Sequence, residues 1–251
     1  MNTTKPWEIV RGDCIEVLRR MPDESVDAII TDPPYASGGK NESQRRSSTG
    51  MTKFWKGAWF AGDAMGTEGL VWLLRAMAFE AERILLPGAS LLVFCDWRMW
   101  SAITPAMESA GLTLQTMIVW DKGSPGTGVG FRATHELVAH LRKAGPPHFH
   151  AADGSNVIRV GRVHGPSKVH PTEKPVPLME SLIRIVSPRG GLVVDPFCGS
   201  GSTGVAALRL GRRFIGVERD PRYIAIAEER LAGVREQLEI GTVEGKQETL
   251  L

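Results

Sequence analysis

The sequence predicts an α/β fold built on a mostly parallel sheet with one antiparallel strand. Three observations carry this. Apolar runs bounded by turn residues alternate with longer amphipathic stretches, the pattern of strands and helices that take turns around a sheet. A glycine-rich stretch at 195–204 follows a short apolar run and opens a helical one. Two further apolar segments, 114–120 and 136–141, face each other across a glycine-rich link at 123–130, as antiparallel neighbours do.

Taken in order, 26–31 is a buried strand that ends at Asp32. Residues 68–86 carry apolar side chains at helical spacing (Leu70, Leu73, Leu74, Met77, Ala81, Ile84, Leu85), and Pro87-Gly88 stops that helix. A buried strand follows at 90–95, then a helix at 98–110 that ends near Gly111. After the strands 114–120 and 136–141, a helix is expected at 175–187, a short buried strand at 191–194 and a helix at 202–210 ended by Gly211. Residues 214–217 form a strand. Asp220 then caps, and Pro221 opens, a helix reaching about residue 238, with a polar, frayed tail from Gly241. Two stretches, 36–66 and 143–173, resist assignment, and loops this long are commonly functional or disordered.

With 251 residues, the chain can bury the core of one sizeable domain. A net charge of +2 does not announce a nucleic-acid binder, so any basic surface must come from uneven distribution. Cys14, Cys95 and Cys198 are far apart, without metal-ligand spacing, so neither a zinc site nor a disulfide framework is expected and a reducing, cytoplasmic setting fits best. No signal peptide and no run of about 20 apolar residues is present, so no membrane association is expected.

Two constellations carry chemistry. The first is Asp195-Pro196-Phe197-Cys198-Gly199-Ser200-Gly201-Ser202-Thr203-Gly204, at a strand-to-helix junction. Its glycines let the chain turn tightly and let a ligand approach the backbone, and N–H groups at the helix start can face a polar ligand. Glu218 ends the next strand, where a carboxylate can accept both ribose hydroxyls of a nucleoside. The glycine spacing alone also fits a dinucleotide fingerprint. Its position near residue 195 leaves too little chain for a two-halved dehydrogenase fold. The second constellation is Asp32-Pro33-Pro34-Tyr35, at the end of strand 26–31. Two prolines stiffen the backbone and leave carbonyls as acceptors. Beside them lie a carboxylate and an aromatic ring, which suits an exocyclic amine on a planar base.

Together these motifs resemble the amino-methylating DNA methyltransferases of the permuted, beta-group arrangement. In that group the catalytic motif comes first, target recognition follows and the cofactor loop comes last. The likeness covers nearly the whole chain from Ile9 to Leu231, and includes His170-Pro171-Thr172-Glu173-Lys174-Pro175, Gly216-Val217-Glu218-Arg219-Asp220 and Gly12-Asp13. It implies a Rossmann-like S-adenosylmethionine-dependent methyltransferase fold with circularly permuted motif order. It also implies a single domain over 1–251: a catalytic half (1–142) with a mobile loop at about 36–66, a short target-recognition segment (143–168) and a cofactor-binding half (169–240). By resemblance, Asp32 and the Pro33 carbonyl accept hydrogen bonds from the target amine, within a motif completed by Pro34, and Tyr35 stacks on the flipped base. Phe197 and the turn Gly199–Gly201 hold the methionine side of S-adenosylmethionine, and Glu218 its ribose. Asp13 sits near its adenine, Lys174 packs near it, and Asp195, Ser202 and Thr203 belong to the same cofactor site.

The expected substrate is double-stranded DNA, and the preferred reaction is transfer of a methyl group to adenine N6, because an Asp at position 32 leans towards adenine in this family where a Ser leans towards cytosine. Cytosine N4 is the first alternative. RNA or protein methylation and a non-catalytic DNA-binding relative are further ones. Homodimers occur in this group, and a restriction partner is compatible with it. Lys40, Arg45, Arg46, Lys53 and Lys56 in the first long loop, with Arg132, Arg159, Arg162 and Lys168 further on, are candidate phosphate contacts. For any single one, a solvated surface charge is at least as good a reading. The short recognition segment implies a short or relaxed target sequence. His135-Glu136 matches a recurring pair of the family, for which a structural role is expected. No metal is suggested.

Overall fold

A computed structural model describes residues 5–34, 66–126, 129–163 and 173–248. The elements are β1 (Trp7–Arg11), α1 (Cys14–Arg19), β2 (Val26–Thr31), α2 (Thr67–Ile84), β3 (Leu85–Cys95), α3 (Trp100–Glu108), β4 (Thr113–Asp121), β5 (His135–Arg142), β6 (Val157–Arg159), α4 (Val176–Val186), β7 (Leu192–Asp195), α5 (Ser202–Arg209), β8 (Arg213–Glu218) and α6 (Pro221–Glu248).

The strands form one eight-stranded sheet in the order β1-β8-β7-β2-β3-β5-β4-β6. Strand β5 pairs antiparallel with both β3 and β4, and every other pairing is parallel, so among the described strands β5 alone runs against the rest. The expected fold class, a mostly parallel sheet with one antiparallel strand, is the one observed.

Both faces of the sheet are covered, which is why its central strands read as unbroken apolar runs. Successive side chains of a strand point to opposite faces. Accordingly Ile29 of β2 and Leu91 and Val93 of β3 pack with the helices α1, α2 and α3. Ala28, Ile30, Leu92 and Phe94 pack with α4, α5 and α6 on the other side.

The observed elements differ from the sequence expectation in a few places. Helix α2 ends at Ile84, not at Pro87, with Leu85 already extended (φ −66°, ψ 143°). The proline restricts only Leu86, the residue before it; Leu85 leaves the helix one residue earlier because it already pairs with Val26 at the start of β3. The amides of Glu24 and Ser25 take up the carbonyls of Arg83 and Ile84 at 3.1 and 2.8 Å. Helix α6 continues past Gly241 to Glu248, where a frayed tail is expected. A glycine costs a helix only about 1 kcal/mol and does not by itself end one. Three short elements, β1, α1 and β6, have no counterpart in the sequence reading, and β6 falls within the expected recognition segment. The expected loop at 36–66 lies outside the described residues for all but its last position.

No helix among the described residues is long and apolar enough to cross a membrane. Among them, too, no group of three or more His, Cys, Asp or Glu side chains is placed to hold a metal. All three cysteines are buried free thiols.

Candidate active site

Because the parallel strands share a direction, their carboxyl ends meet along one edge of the sheet, where open α/β sheets bind ligands. Strand β5 runs the other way, so its first residues reach that same edge: Leu137 lies opposite Cys95, and Glu136 opposite Trp120.

The glycine loop between β7 and α5 is tied down by a buried carboxylate. Asp195 ends β7 and is 3% exposed. Its oxygens accept hydrogen bonds from the Thr31 hydroxyl (2.7 Å), the Thr203 hydroxyl (2.6 Å) and the Phe197 amide (3.1 Å). Burial pushes its pKa up to about 6, against the lowering effect of those three donors. Asp195 and Thr203 thus fix the shape of the turn, joining the end of β2 to the start of α5. Gly199 and Gly201 hold positive φ (50° and 80°), a conformation that favours glycine. At Gly204 a β-carbon would strike Phe214 at 2.6 Å and Leu231 at 2.8 Å, so α5 can lie this close to β8 only with glycine there. Burial raises the Cys198 thiol well above its ordinary range, so it fills space and is not a nucleophile.

Glu218, at the end of β8, turns back to the same loop. One carboxylate oxygen accepts from the Gly199 amide (3.0 Å), the other from the amides of Arg219 and Asp220 (2.7 and 2.8 Å). Beside it, the Gly12 amide donates to the Glu218 carbonyl at 3.1 Å, which brings Asp13 alongside. Asp13 caps α1 by accepting from the Ile15 amide at 3.0 Å and keeps a side chain 41% exposed. Asp13, the loop 197–203 and Glu218 therefore surround one region at the ends of β1, β8 and β7. Arg230 of α6 clamps that loop: it donates to the Ser200 carbonyl (2.7 Å) and hydroxyl (3.0 Å), approaches the Ser202 hydroxyl (3.5 Å) and pairs with Glu173 (2.8 Å).

Asp32 sits at the end of β2, two strands from Glu218, with Pro33 buried behind it. Its carboxylate pairs with the ammonium of Lys174, which is 7% exposed and lies over the Phe94 ring at 5.0 Å. Lys174 also pairs with Glu136 at 3.3 Å, and Glu136 pairs with Lys122 at 2.5 Å. Burial alone would push the Lys174 pKa down, but Asp32 and Glu136 outweigh it and hold the pKa above the usual lysine value. Burial would raise the Glu136 carboxyl, and its two lysine neighbours hold it below the usual range. The Asp32 carboxylate is thus held in place by a buried ammonium.

The structure places Lys174, expected beside the cofactor, directly against Asp32. It gathers Asp13, Phe197, Gly199, Gly201, Ser202 and Glu218 at one edge. Tyr35 lies outside the described residues, as do Lys40, Arg45, Arg46, Lys53, Lys56 and Lys168. Arg132 is exposed, Arg159 approaches Asp121 at 3.5 Å, and Arg162 donates to the Ser124 carbonyl at 3.4 Å. Lys122, Arg230 and Glu173 carry contacts that sequence reasoning did not assign. For Glu136, a recurring pair with His135 was the single available signal.

A glycine turn after β7, with a carboxylate at the end of β8 on one side and an Asp-Pro-Pro turn at the end of β2 on the other, is the arrangement of a Rossmann-like methyltransferase. The chain belongs to the N6/N4 DNA methylase family, whose pattern matches residues 26–229. It is 32% identical to YubD of Escherichia coli strain K12, a candidate methylase, over 92% of this chain and 93% of that one. It is 30% identical to the Type II methyltransferase M2.DpnII of Streptococcus pneumoniae, over 93% of this chain and 94% of that one. Among solved structures, the M1.HpyAVI complex with S-adenosylmethionine superposes with a TM-score of 0.68 at 25% identity, covering 90% of this chain and 98% of that one. The PvuII cytosine-N4-specific DNA methyltransferase shares the fold, with a TM-score of 0.72 at 21% identity over 91% of this chain and 87% of that one. S-adenosylmethionine, the cofactor expected from the motifs, is the ligand of the M1.HpyAVI complex.

Proposed function

We propose that this chain methylates the N6 amine of an adenine flipped out of double-stranded DNA, as a single domain in the permuted, beta-group order. The observation that carries the reading is the placement of Asp32. It is a carboxylate at a strand end, held by the Lys174 ammonium, on the sheet edge that also holds Glu218 and the glycine loop.

The residues fit S-adenosylmethionine. The positive-φ glycines leave the backbone open to close approach, and a carboxylate with about four lone-pair sites has capacity for ribose hydroxyls beyond the three amides it already accepts. Asp13 takes the adenine end and Phe197 the methionine end in this reading. When bound, the cofactor supplies an electrophilic methyl group on a positive sulfur.

An exocyclic base amine is a poor nucleophile because its lone pair is delocalised into the ring. Asp32 and the Pro33 carbonyl accept its two N–H groups, which favours a pyramidal nitrogen with a localised lone pair. The new N–C bond forms as the C–S bond breaks; the electron pair stays on sulfur, and the nitrogen then loses a proton. The enzyme contributes position and electrostatics and forms no covalent bond to the base. Flipping costs a few kcal/mol, part of which stacking on Tyr35 offsets. Arg132, Arg159 and Arg162, with the basic residues of 40–56 and Lys168, supply phosphate contacts.

The family includes enzymes acting on N6 and on N4, and both amines present similar geometry, so cytosine N4 is the second reading. The test is to incubate the protein with unmethylated DNA and S-adenosylmethionine, digest to nucleosides and identify the product by mass spectrometry. N6-methyladenine is the expected result. N4-methylcytosine would overturn the base assignment alone, and neither product, with cofactor binding demonstrated, would overturn the DNA reading.

A further inference from the structure

We propose that Glu136 and Lys122 are positioning residues that share the Lys174 ammonium with Asp32 and balance its charge. The proposal rests on the reading of Asp32 as the acceptor of the target amine.

Asp32, Lys174, Glu136 and Lys122 form an alternating row of two anions and two cations. They come from four places: the end of β2, the approach to α4, the start of β5 and the residue after β4. The row is secluded, with the side chains of Lys174 and Lys122 7% and 12% exposed. Aromatic rings back both cations: Phe94 under Lys174 at 5.0 Å and Trp120 under Lys122 at 4.8 Å. Taking such a row out of water is costly, and apolar side chains of similar volume commonly serve stability as well or better. A row of charges kept beside the reactive carboxylate therefore has a use other than stability.

That use follows from electrostatics. Lys174 has two anionic neighbours. Glu136 pulls it away from Asp32, and Lys122 restrains Glu136 in turn. The row is neutral as it stands, so Asp32 meets a shared lysine: enough positive charge to stay ionised, yet too little to spend its acceptor strength wholly on an ion pair. The other groups around the row are Asp195 on β7, Asp96 and the Cys95 thiol at the end of β3, Arg162 near Lys122, and Glu173, which Arg230 engages. They are common to every variant considered below.

Glu136→Gln leaves the row with net charge +1, and Lys122→Met leaves it at −1. The acidic limb of the kcat–pH profile is expected to move down by about one pH unit in Glu136→Gln and up by about one in Lys122→Met, with the double variant between them. The plateau kcat is expected to fall about tenfold in Glu136→Gln, with KM for S-adenosylmethionine unchanged, because the acceptor is weakened and the cofactor loop is untouched. A merely structural role would not move the two limbs in opposite directions.

The test is a titration of the Asp32 side chain, followed by carbon NMR of carboxyl-labelled aspartate, with an Asp32→Asn spectrum for assignment. Wild type, both single variants and the neutral double variant are compared, and the pH profiles are measured in parallel. Opposite shifts of the Asp32 midpoint in the single variants support the inference. Midpoints that stay together, or move the same way, overturn it even if methylated base is formed. Opposite midpoint shifts in a protein that forms no methylated base would leave the charge row standing and sink the reading of function instead. If one single variant does not fold, the other decides: its Asp32 midpoint must move away from that of wild type, down in Glu136→Gln or up in Lys122→Met, and a midpoint that stays with wild type overturns the inference.

Discussion

The buried ammonium of Lys174 pairs with the carboxylate of Asp32, a residue 142 positions earlier in the chain. The cofactor-side motif thereby reaches into the other motif's carboxylate. Lys174→Met is expected to lower kcat about a hundredfold, because a misplaced acceptor costs that much, while cofactor affinity stays within a few-fold of wild type. Lys174→Arg is expected to rescue poorly, since a planar guanidinium does not substitute for a compact ammonium between two carboxylates. Single-turnover methyl transfer and calorimetric cofactor binding check both. Loss of affinity with an unchanged rate would make Lys174 a cofactor contact.

Glu218 holds the glycine loop and is the proposed ribose ligand. Glu218→Gln replaces a charged acceptor by an amide that can satisfy fewer of the three amides now bound to it. Cofactor Kd is expected to rise about 10–100-fold, with kcat at saturating cofactor nearly unchanged. Calorimetry and initial rates at high cofactor concentration measure the two separately.

Gly204→Ala tests packing apart from chemistry. The added methyl would lie 2.6 Å from Phe214 and 2.8 Å from Leu231, both nearly sealed from solvent, so α5 must move off β8. Overpacking of this kind costs about 1–3 kcal/mol. Thermal unfolding is expected to show Tm lower by roughly 2–10 °C for a chain this size.

Two buried groups make opposing contributions to the pH dependence of stability. The folded pKa of Asp195 is raised to about 6 from the ordinary carboxylate value. Its contribution is therefore fully present below about pH 4 and lost as pH rises through 6. His140 hydrogen-bonds Ser90 at 3.0 Å, and its folded pKa is lowered to about 4, first by burial and then by Arg142. Its contribution is present above about pH 6.5 and lost as pH falls through 4. Each amounts to about 3 kcal/mol, so between pH 4 and 7 they nearly cancel. Asp195→Asn is expected to lose more stability than wild type on acidification, and His140→Gln less. Urea unfolding at pH 7 and at pH 4.5 gives the comparison, and parallel slopes for all three proteins would refute it.

Most of the sheet was legible because its strands are short apolar runs cut off by turn residues. Asp32, Asp195 and Glu218 all stand where such a run stops, which is why strand ends led to the site. The glycine loop was legible because few residues other than glycine tolerate its dihedrals and close contacts. Lys122 and Arg230 were not legible: each is one basic residue among many, and its role exists only once distant elements meet. Glu136 was hidden differently. It opens a strand, and only the reversed direction of β5 carries a strand's first residues to the reactive edge. The edge strand β1 was missed because five residues with three half-buried positions give little periodic signal.

The strand order has a consequence for how the molecule comes into being. Strands β1 and β2 are successive in the chain, yet β8 and β7 lie between them. The two strands made last must enter the sheet between the two made first. Until about residue 218 has left the ribosome, β1 has no neighbour and β2 has one bare edge. Such non-local pairing is slow and leaves apolar strand edges exposed in the interim. The nascent chain is thus a natural client for chaperones, and a premature stop anywhere before β8 would yield a fragment with an open sheet instead of a smaller working protein.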